Sequence, residues 1–177
     1  MMRANSTLQQ ISRWDLELCV FFNRQSRSLS IRSLFRIASR LGDGVFWYVL
    51  MSALLLHYRA EALPAVIHMI LAGGTGTMIY KLIKSKTLRP RPFNVSPDVI
   101  CVSKALDQFS FPSGHTLHAT VFSIVAVHYF PVLIWLVLPF SMLVALSRPI
   151  LGLHYPSDVL AGALIGAVLA AVSIFLV

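Results

Sequence analysis

Five stretches of this 177-residue chain are apolar enough, and close enough to twenty residues, to require a hydrocarbon environment. They are residues 45–58, 62–83, 116–130, 131–146 and 157–177, the first being the shortest and expected to extend a turn at either end. An apolar content of 56% and a mean hydropathy of +0.73 exceed what a soluble core of this size needs. Unpaired backbone cannot face lipid, so every span is expected to be helical. Pro131 forces a tight turn between the third and fourth spans. The expected fold is therefore all-α, an integral membrane bundle of about five transmembrane helices.

The first 43 residues are too rich in arginine to cross, yet they are patterned. Leu8, Ile11, Trp14, Leu18 and Phe22 recur at three- and four-residue steps, and Ile31, Leu34, Ile37 and Leu41 repeat this beyond a serine-rich break. Arg32, Arg36 and Arg40 line another face. This predicts an amphipathic segment, residues 1–43, lying in the membrane interface with its arginines toward headgroups, ahead of a transmembrane domain at 44–177. A solvated helix packed on the bundle is the plainer alternative. Arg13, Asp15 and Glu17 break up any apolar core of a signal peptide. The net charge of +8 is assigned to the membrane surface, with no nucleic-acid partner expected.

Small residues at Gly73, Gly74 and Gly76, and at Gly162, Gly166 and Ala170, would let helix backbones approach closely, within the bundle or across a homodimer.

Three polar blocks interrupt the greasy sequence: Lys84-x6-Arg91-Pro92, Pro112-Ser113-Gly114-His115 and Ser147-Arg148-x5-His154-x3-Asp158. The first connects spans two and three, and the last connects spans four and five. Two crossings separate them, so they open on the same side. In the first block Lys84 supplies a point charge and Arg91 a planar fork suited to phosphate oxygens, although a basic loop attracted to anionic lipid has the same composition. The second block opens a helix, whose free N–H groups, with the Gly114 backbone and the Ser113 hydroxyl, suit an anion beside His115; a simple serine cap is the alternative. In the third, Tyr155 precedes Pro156, so His154 belongs to the loop before span five and Asp158 to that helix's first turn. A carboxylate there can reach back to His154, fix its tautomer and raise the nucleophilicity of its other nitrogen; a helix-capping pair would look the same.

Together the blocks resemble the type 2 phosphatidic acid phosphatase (PAP2) family, which also includes vanadium-dependent haloperoxidases. KSKTLRPRP fits the family's Lys-x6-Arg-Pro, PSGH is complete, and SRPILGLHYPSD fits Ser-Arg-x5-His-x3-Asp; the likeness covers about residues 42–177. The resemblance implies a hydrolase of a lipid phosphate or diphosphate, with undecaprenyl diphosphate, phosphatidylglycerol phosphate and phosphatidic acid as candidates. His154 would form a phosphohistidine, Asp158 would orient it, and His115 would protonate the leaving oxygen and then assist the water. Lys84, Arg91 and Arg148, with Ser113 and Gly114, would bind the phosphate. No metal or other cofactor is expected; zinc on His115, His118 and His154 is the disfavoured alternative. A lipid phosphotransferase, and a lipid-phosphate-binding protein without turnover, are the competing functions.

Other polar residues carry weaker expectations. His57 and His128 belong at the far membrane surface, and His68, mid-span, is expected to bond a neighbouring helix. His118 shares a face with His115. Asp43 is expected to cap span one, with a polar role in the pocket as the alternative. With the amphipathic segment on the pocket side, 14 of the 15 Lys and Arg lie on that side, leaving Arg59 opposite. The positive-inside rule then puts the site at the cytoplasmic face of the inner membrane, the periplasmic face being the alternative. Cys19 and Cys101 would be thiols in the first case and able to pair in the second.

Overall fold

The computed structural model describes the backbone of residues 2–105 and 107–177, and the side chains of residue 10 and of 12–105 and 107–177. Among these residues the regular elements are all helical: α1 (Met2–Arg24), α2 (Leu29–Arg40), α3 (Phe46–Tyr58), α4 (Leu63–Thr87), a single turn α5 (Pro92–Val95), α6 (Gly114–Tyr129), α7 (Ile134–Ile150) and α8 (Pro156–Phe175). Proline and capping residues set the boundaries that matter for the site. The first turn of α4 holds Pro64, and the helix stops at Leu88, whose left-handed backbone (φ 47°) precedes Pro90. Ser113 caps α6 by accepting from the Thr116 N–H. Tyr155, Pro156 and Asp158 start α8, the Asp158 carboxylate accepting from the Tyr155 N–H at 2.9 Å.

Three helical runs are long and apolar enough to cross a membrane: Leu29–Thr87, which doubles back on itself, Pro131–Ile150 and Pro156–Phe175. With its membrane-spanning helices and no strand among the described elements, the molecule is a helical membrane bundle. The remaining expected span, α6, has 16 residues, about 24 Å at 1.5 Å per residue. It can be short because it is central, packed by α4, α7 and α8. Gly162 and Gly166 of α8 meet it backbone to backbone: a Cβ at Gly162 would lie 2.4 Å from the Ser113 carbonyl oxygen, and one at Gly166 2.6 Å from that of Leu117. These small residues are thus used within the chain. Beside them, Phe46 stacks on Phe140 with ring centroids 3.7 Å apart, and Trp47 leans on Phe122 at 5.1 Å, holding α3 to α6 and α7. Outward-facing Leu160, Leu164, Val168 and Val172 form an apolar stripe along α8, as a lipid-facing helix requires.

The N-terminal region departs from its simple amphipathic reading. Helix α2 passes into α3 through a widened turn, Leu41–Val45, bent at Gly44 (φ 136°), so the expected boundary at residue 43 falls inside a bend. Two of the three arginines assigned to headgroups bind protein: Arg32 Nε donates to the Ser26 carbonyl at 2.8 Å and Arg36 to that of Val102 at 3.2 Å. On α1, Trp14, Leu18 and Phe21 are exposed, but Phe22 turns partly inward. The side chains of Leu8 and Ile11 lie outside the described residues. The face of α1 that enters the protein is polar, made of Asp15, Cys19 and Asn23. Asn23 clamps two loops, donating to the carbonyls of Ile100 and Ile150 at 2.9 Å and accepting from the Ile100 N–H at 2.8 Å.

Candidate active site

The end of α4, the start of α6, the end of α7 and the loop before α8 converge on one cavity of about 430 Å³. Lys84, Arg91, Gly114, His115, Arg148 and His154 all line it. The three sequence blocks are therefore one site, at one end of the bundle.

His154 lies in the turn between α7 and α8, fixed by its own N–H and that of Leu153, both donating to the Arg148 carbonyl. Its ring is buried. Arg91 donates to Nε2 from 3.4 Å, so Nε2 carries a lone pair toward the cavity and the ring proton sits on Nδ1. Burial, followed by the charges of Arg148, Arg91, Lys84 and His115, holds the imidazole well below its ordinary 6.5. It is a neutral ring among cations. Asp158 stands behind it, Oδ2 being 3.6 Å from Nδ1, which has no hydrogen-bond partner. The expected reach from Asp158 to His154 is thus close but not a hydrogen bond: the carboxylate first completes the cap of α8 with Oδ2 and receives Arg89 at 2.6 Å on Oδ1.

The cations are held by partners the motifs did not name. Lys84 Nζ bonds Asp107 Oδ2 at 2.8 Å, while Arg91 bonds Oδ1 at 2.8 Å and the Asp107 carbonyl at 2.9 Å. Burial pushes the Asp107 carboxyl up, but hydrogen bonds and charge from Lys84 and Arg91 override this and hold it below the usual carboxylate range. Arg91 also donates to the Leu153 carbonyl at 2.6 Å, fastening the first block to the third. Arg148 is buried, donates to Ser39 Oγ at 2.6 Å, and leaves its Nε without a partner at the cavity wall.

His115 donates through Nε2 to Asp43 Oδ1. Asp43 caps nothing, its backbone being inside the α2–α3 bend, and the pocket role weighed as the alternative is the one adopted. Gly114 faces the cavity, with the Tyr80 ring 3.4 Å from where its Cβ would be. Ser113 is wholly buried in the cap of α6, its hydroxyl against Thr116 at 3.0 Å, and does not line the cavity. The Ser113 N–H donates to the Asp158 carbonyl at 3.0 Å, joining the second block to the third. His118 ties α6 to α4 through the Gly73 carbonyl and the Thr77 hydroxyl at 3.1 and 3.0 Å. His68 bonds the Tyr129 hydroxyl on α6 at 3.2 Å, the neighbouring-helix contact expected of it. Among the described residues no three His, Cys, Asp or Glu side chains converge as metal ligands.

Sequence reasoning missed Asp15, Arg89 and Asp107. Only Arg89 gave a local signal, being one of two further cations, with Lys86, inside the first block.

The cavity also runs away from the cations between α3 and α4, past Met51, Ile70 and Gly74. An anion held at the polar end would have an apolar trough beside it.

Comparison with known proteins agrees with this geometry. An undecaprenyl-diphosphatase of Sulfolobus acidocaldarius is 27% identical over 140 residues, covering 78% of this chain and 66% of that protein. The bacitracin transport permease protein BcrC of Bacillus licheniformis is 37% identical over 112 residues, covering 62% and 54%. The chain thus spans between about half and two thirds of the length of these curated relatives. The crystal structure of a transmembrane PAP2-type phosphatidylglycerolphosphate phosphatase from Bacillus subtilis has the same fold, with a TM-score of 0.72 over 96% of this chain and 86% of that one at 22% identity. The PAP2 superfamily model matches residues 61–177, a span that holds all three blocks, and the chain belongs to that superfamily.

Proposed function

We propose that this protein is a membrane phosphatase that hydrolyses a lipid phosphate or diphosphate through a phosphohistidine on His154. The observation that carries this reading is the neutral His154, its unprotonated Nε2 beside Arg91 at the wall of a cavity where Lys84, Arg91 and Arg148 meet. A binding protein would need the cations alone; the unprotonated imidazole backed by a carboxylate is what a nucleophile needs. The lone pair of Nε2 attacks phosphorus as the bond to the leaving oxygen breaks, and His115, which enters the step as an imidazolium held by Asp43 and the bound phosphate's charge, gives that oxygen its proton and becomes neutral. Asp158 stabilises the positive imidazole through Nδ1–H. The three cations and the Gly114 N–H at the start of α6 receive the equatorial oxygens, while Ser113 acts indirectly by capping that helix. His115 then takes a proton from water, which attacks phosphorus and releases phosphate. Protein cations supply the charge stabilisation, so no metal enters the reaction.

The apolar trough supports a substrate that brings its own tail. Among undecaprenyl diphosphate, phosphatidylglycerol phosphate and phosphatidic acid, the relative named undecaprenyl-diphosphatase favours the first. The charge asymmetry supports residues 1–43 lying in the interface beside the phosphatase domain, 44–177, with the site at the cytoplasmic face of the inner membrane. The test is phosphate release by purified protein in detergent with EDTA, over these three lipids. Activity is expected with EDTA present and lost in His154→Ala that still folds. Activity that needs added metal, or survives His154→Ala, refutes the mechanism.

A further inference from the structure

Asp158 is held by a chain of contacts that starts outside the family match. Arg89, on the linker between α4 and α5, donates from one guanidinium nitrogen to Asp158 Oδ1 at 2.6 Å and to Ser157 Oγ at 2.8 Å, and from the other to Asp15 Oδ2 at 2.6 Å. Its carbon lies 3.9 Å from the centre of the Tyr155 ring. Asp15, on α1, in turn accepts from the Ser157 N–H at 3.0 Å and from the Ser157 hydroxyl. The family model matches residues 61–177, and Asp15, on the N-terminal helix, lies outside that span.

We infer that Arg89, itself braced by Asp15, is a positioning residue for the nucleophile: it fixes the Asp158 carboxylate so that Oδ2 points at His154 Nδ1. The inference rests on the phosphatase reading above. Asp158 is fully buried and has two oxygens to place. With Oδ1 taken by Arg89 and Oδ2 on the Tyr155 N–H, the carboxylate cannot rotate, and Oδ2 stays 3.6 Å from Nδ1. It becomes a hydrogen-bond acceptor for His154 after a shift of well under 1 Å when the ring gains charge. The Arg89 charge beside the buried carboxylate opposes its loss of charge, which an orienting group needs to keep. A half-buried arginine between Asp158 and solvent would be free to swing; Asp15 prevents this with one charged hydrogen bond from the guanidinium and a grip on the first turn of α8. Arg89 and Asp15 are absent from the residues lining the cavity, so they act on turnover and not on phosphate affinity.

The experiment is steady-state kinetics in detergent on whichever of undecaprenyl diphosphate and phosphatidic acid the wild type hydrolyses, with wild type, Arg89→Gln, Arg89→Lys, Asp15→Asn and the double variant Arg89→Gln/Asp15→Asn. Arg89→Gln is expected to lower kcat by about ten- to a hundredfold, the range for loss of an outer partner of an active-site ligand, with KM within about twofold. Arg89→Lys restores most of kcat. Asp15→Asn lowers kcat by about threefold or more, and the double variant is no worse than Arg89→Gln, because Asp15 acts through Arg89. Unchanged kcat in Arg89→Gln, a rise in KM alone, or no recovery in Arg89→Lys overturns the inference while leaving the phosphatase reading standing. No phosphate release by wild type overturns the phosphatase reading itself, and this inference with it. If Arg89→Gln does not fold, Asp15→Asn, nearly isosteric, decides the matter by the same split between kcat and KM.

Discussion

Asp107 occupies the two cations that the proposed mechanism needs for phosphate, so removing its charge should tighten phosphate binding. In the empty site each carboxylate oxygen takes one cation at 2.8 Å, Lys84 on one side and Arg91 on the other. The carboxylate is 39% exposed, so each pair is discounted toward surface values, about 0.5–1 kcal/mol. Two such pairs give about 1–2 kcal/mol that an incoming phosphate must displace, and at 1.4 kcal/mol per factor of ten this is about five- to thirtyfold in affinity. Asp107→Asn is therefore expected to lower the inhibition constant of inorganic phosphate by about that factor, at unchanged protein stability to within about 1 kcal/mol. The gain should shrink as salt rises, because the pairs are partly solvent-screened. Lys84 and Arg91 hold the Asp107 carboxyl below its ordinary range, so the competition persists as pH falls past 4 and the variant keeps its advantage there. Phosphate inhibition that is unchanged or weaker in Asp107→Asn would show that Asp107 helps build the site instead of filling it.

Three further outcomes are expected. Gly166→Ala should destabilise by about 1–3 kcal/mol, because its Cβ would lie 2.6 Å from backbone that cannot retreat, whereas Gly74→Ala, with nothing within 4 Å, should be neutral or slightly stabilising; thermal unfolding in detergent separates them. His154 should make stability depend on pH: the unfolded ring takes a proton near 6.5 and the folded one far lower, so its contribution is complete above about 6.5 and lost as pH falls toward the folded value. The thermal midpoint of wild type should then drop more steeply below pH 6.5 than that of His154→Gln, and equal slopes would contradict the assignment of a neutral ring. Cys101 is exposed and Cys19 buried, so a membrane-impermeant thiol reagent should modify Cys101 alone, and only in inverted vesicles if the site faces the cytoplasm.

What the sequence disclosed and what it hid have physical reasons. The three blocks were legible because their spacing is local: proline and serine mark where each helix begins, and counting spans places the blocks at one end. Asp15 was not legible as a site residue and Asp43 only as an alternative, because each meets its partner across a long stretch of chain, 74 residues from Asp15 to Arg89 and 72 from Asp43 to His115, while Asp107 lies in an irregular loop that carries no motif. No periodicity records such pairings. The face of α1 was only partly visible for a related reason: its exposed apolar residues, Trp14 and Leu18, show in the repeat, but the residues it buries, Asp15 and Asn23 beside Cys19, are mostly polar and leave no apolar signal. Ser113 was read for its hydroxyl, and the cap of α6 had the stronger claim on it.

The backbone contact of α6 with α8 divides the pocket into a stiff wall and an adjustable one. Gly162 and Gly166 bring those helices too close to slide, and the Ser113 N–H on the Asp158 carbonyl pins their ends together. His115 and His154 are therefore carried as if on a single casting, their separation fixed by main chain. Lys84 sits on the other wall, steadied by Asp107 from an open loop, while Arg91 bonds Asp107 and is also fastened to the stiff wall through the Leu153 carbonyl. Fitting a larger or smaller headgroup thus falls to that loop, while the spacing of the two histidines stays constant.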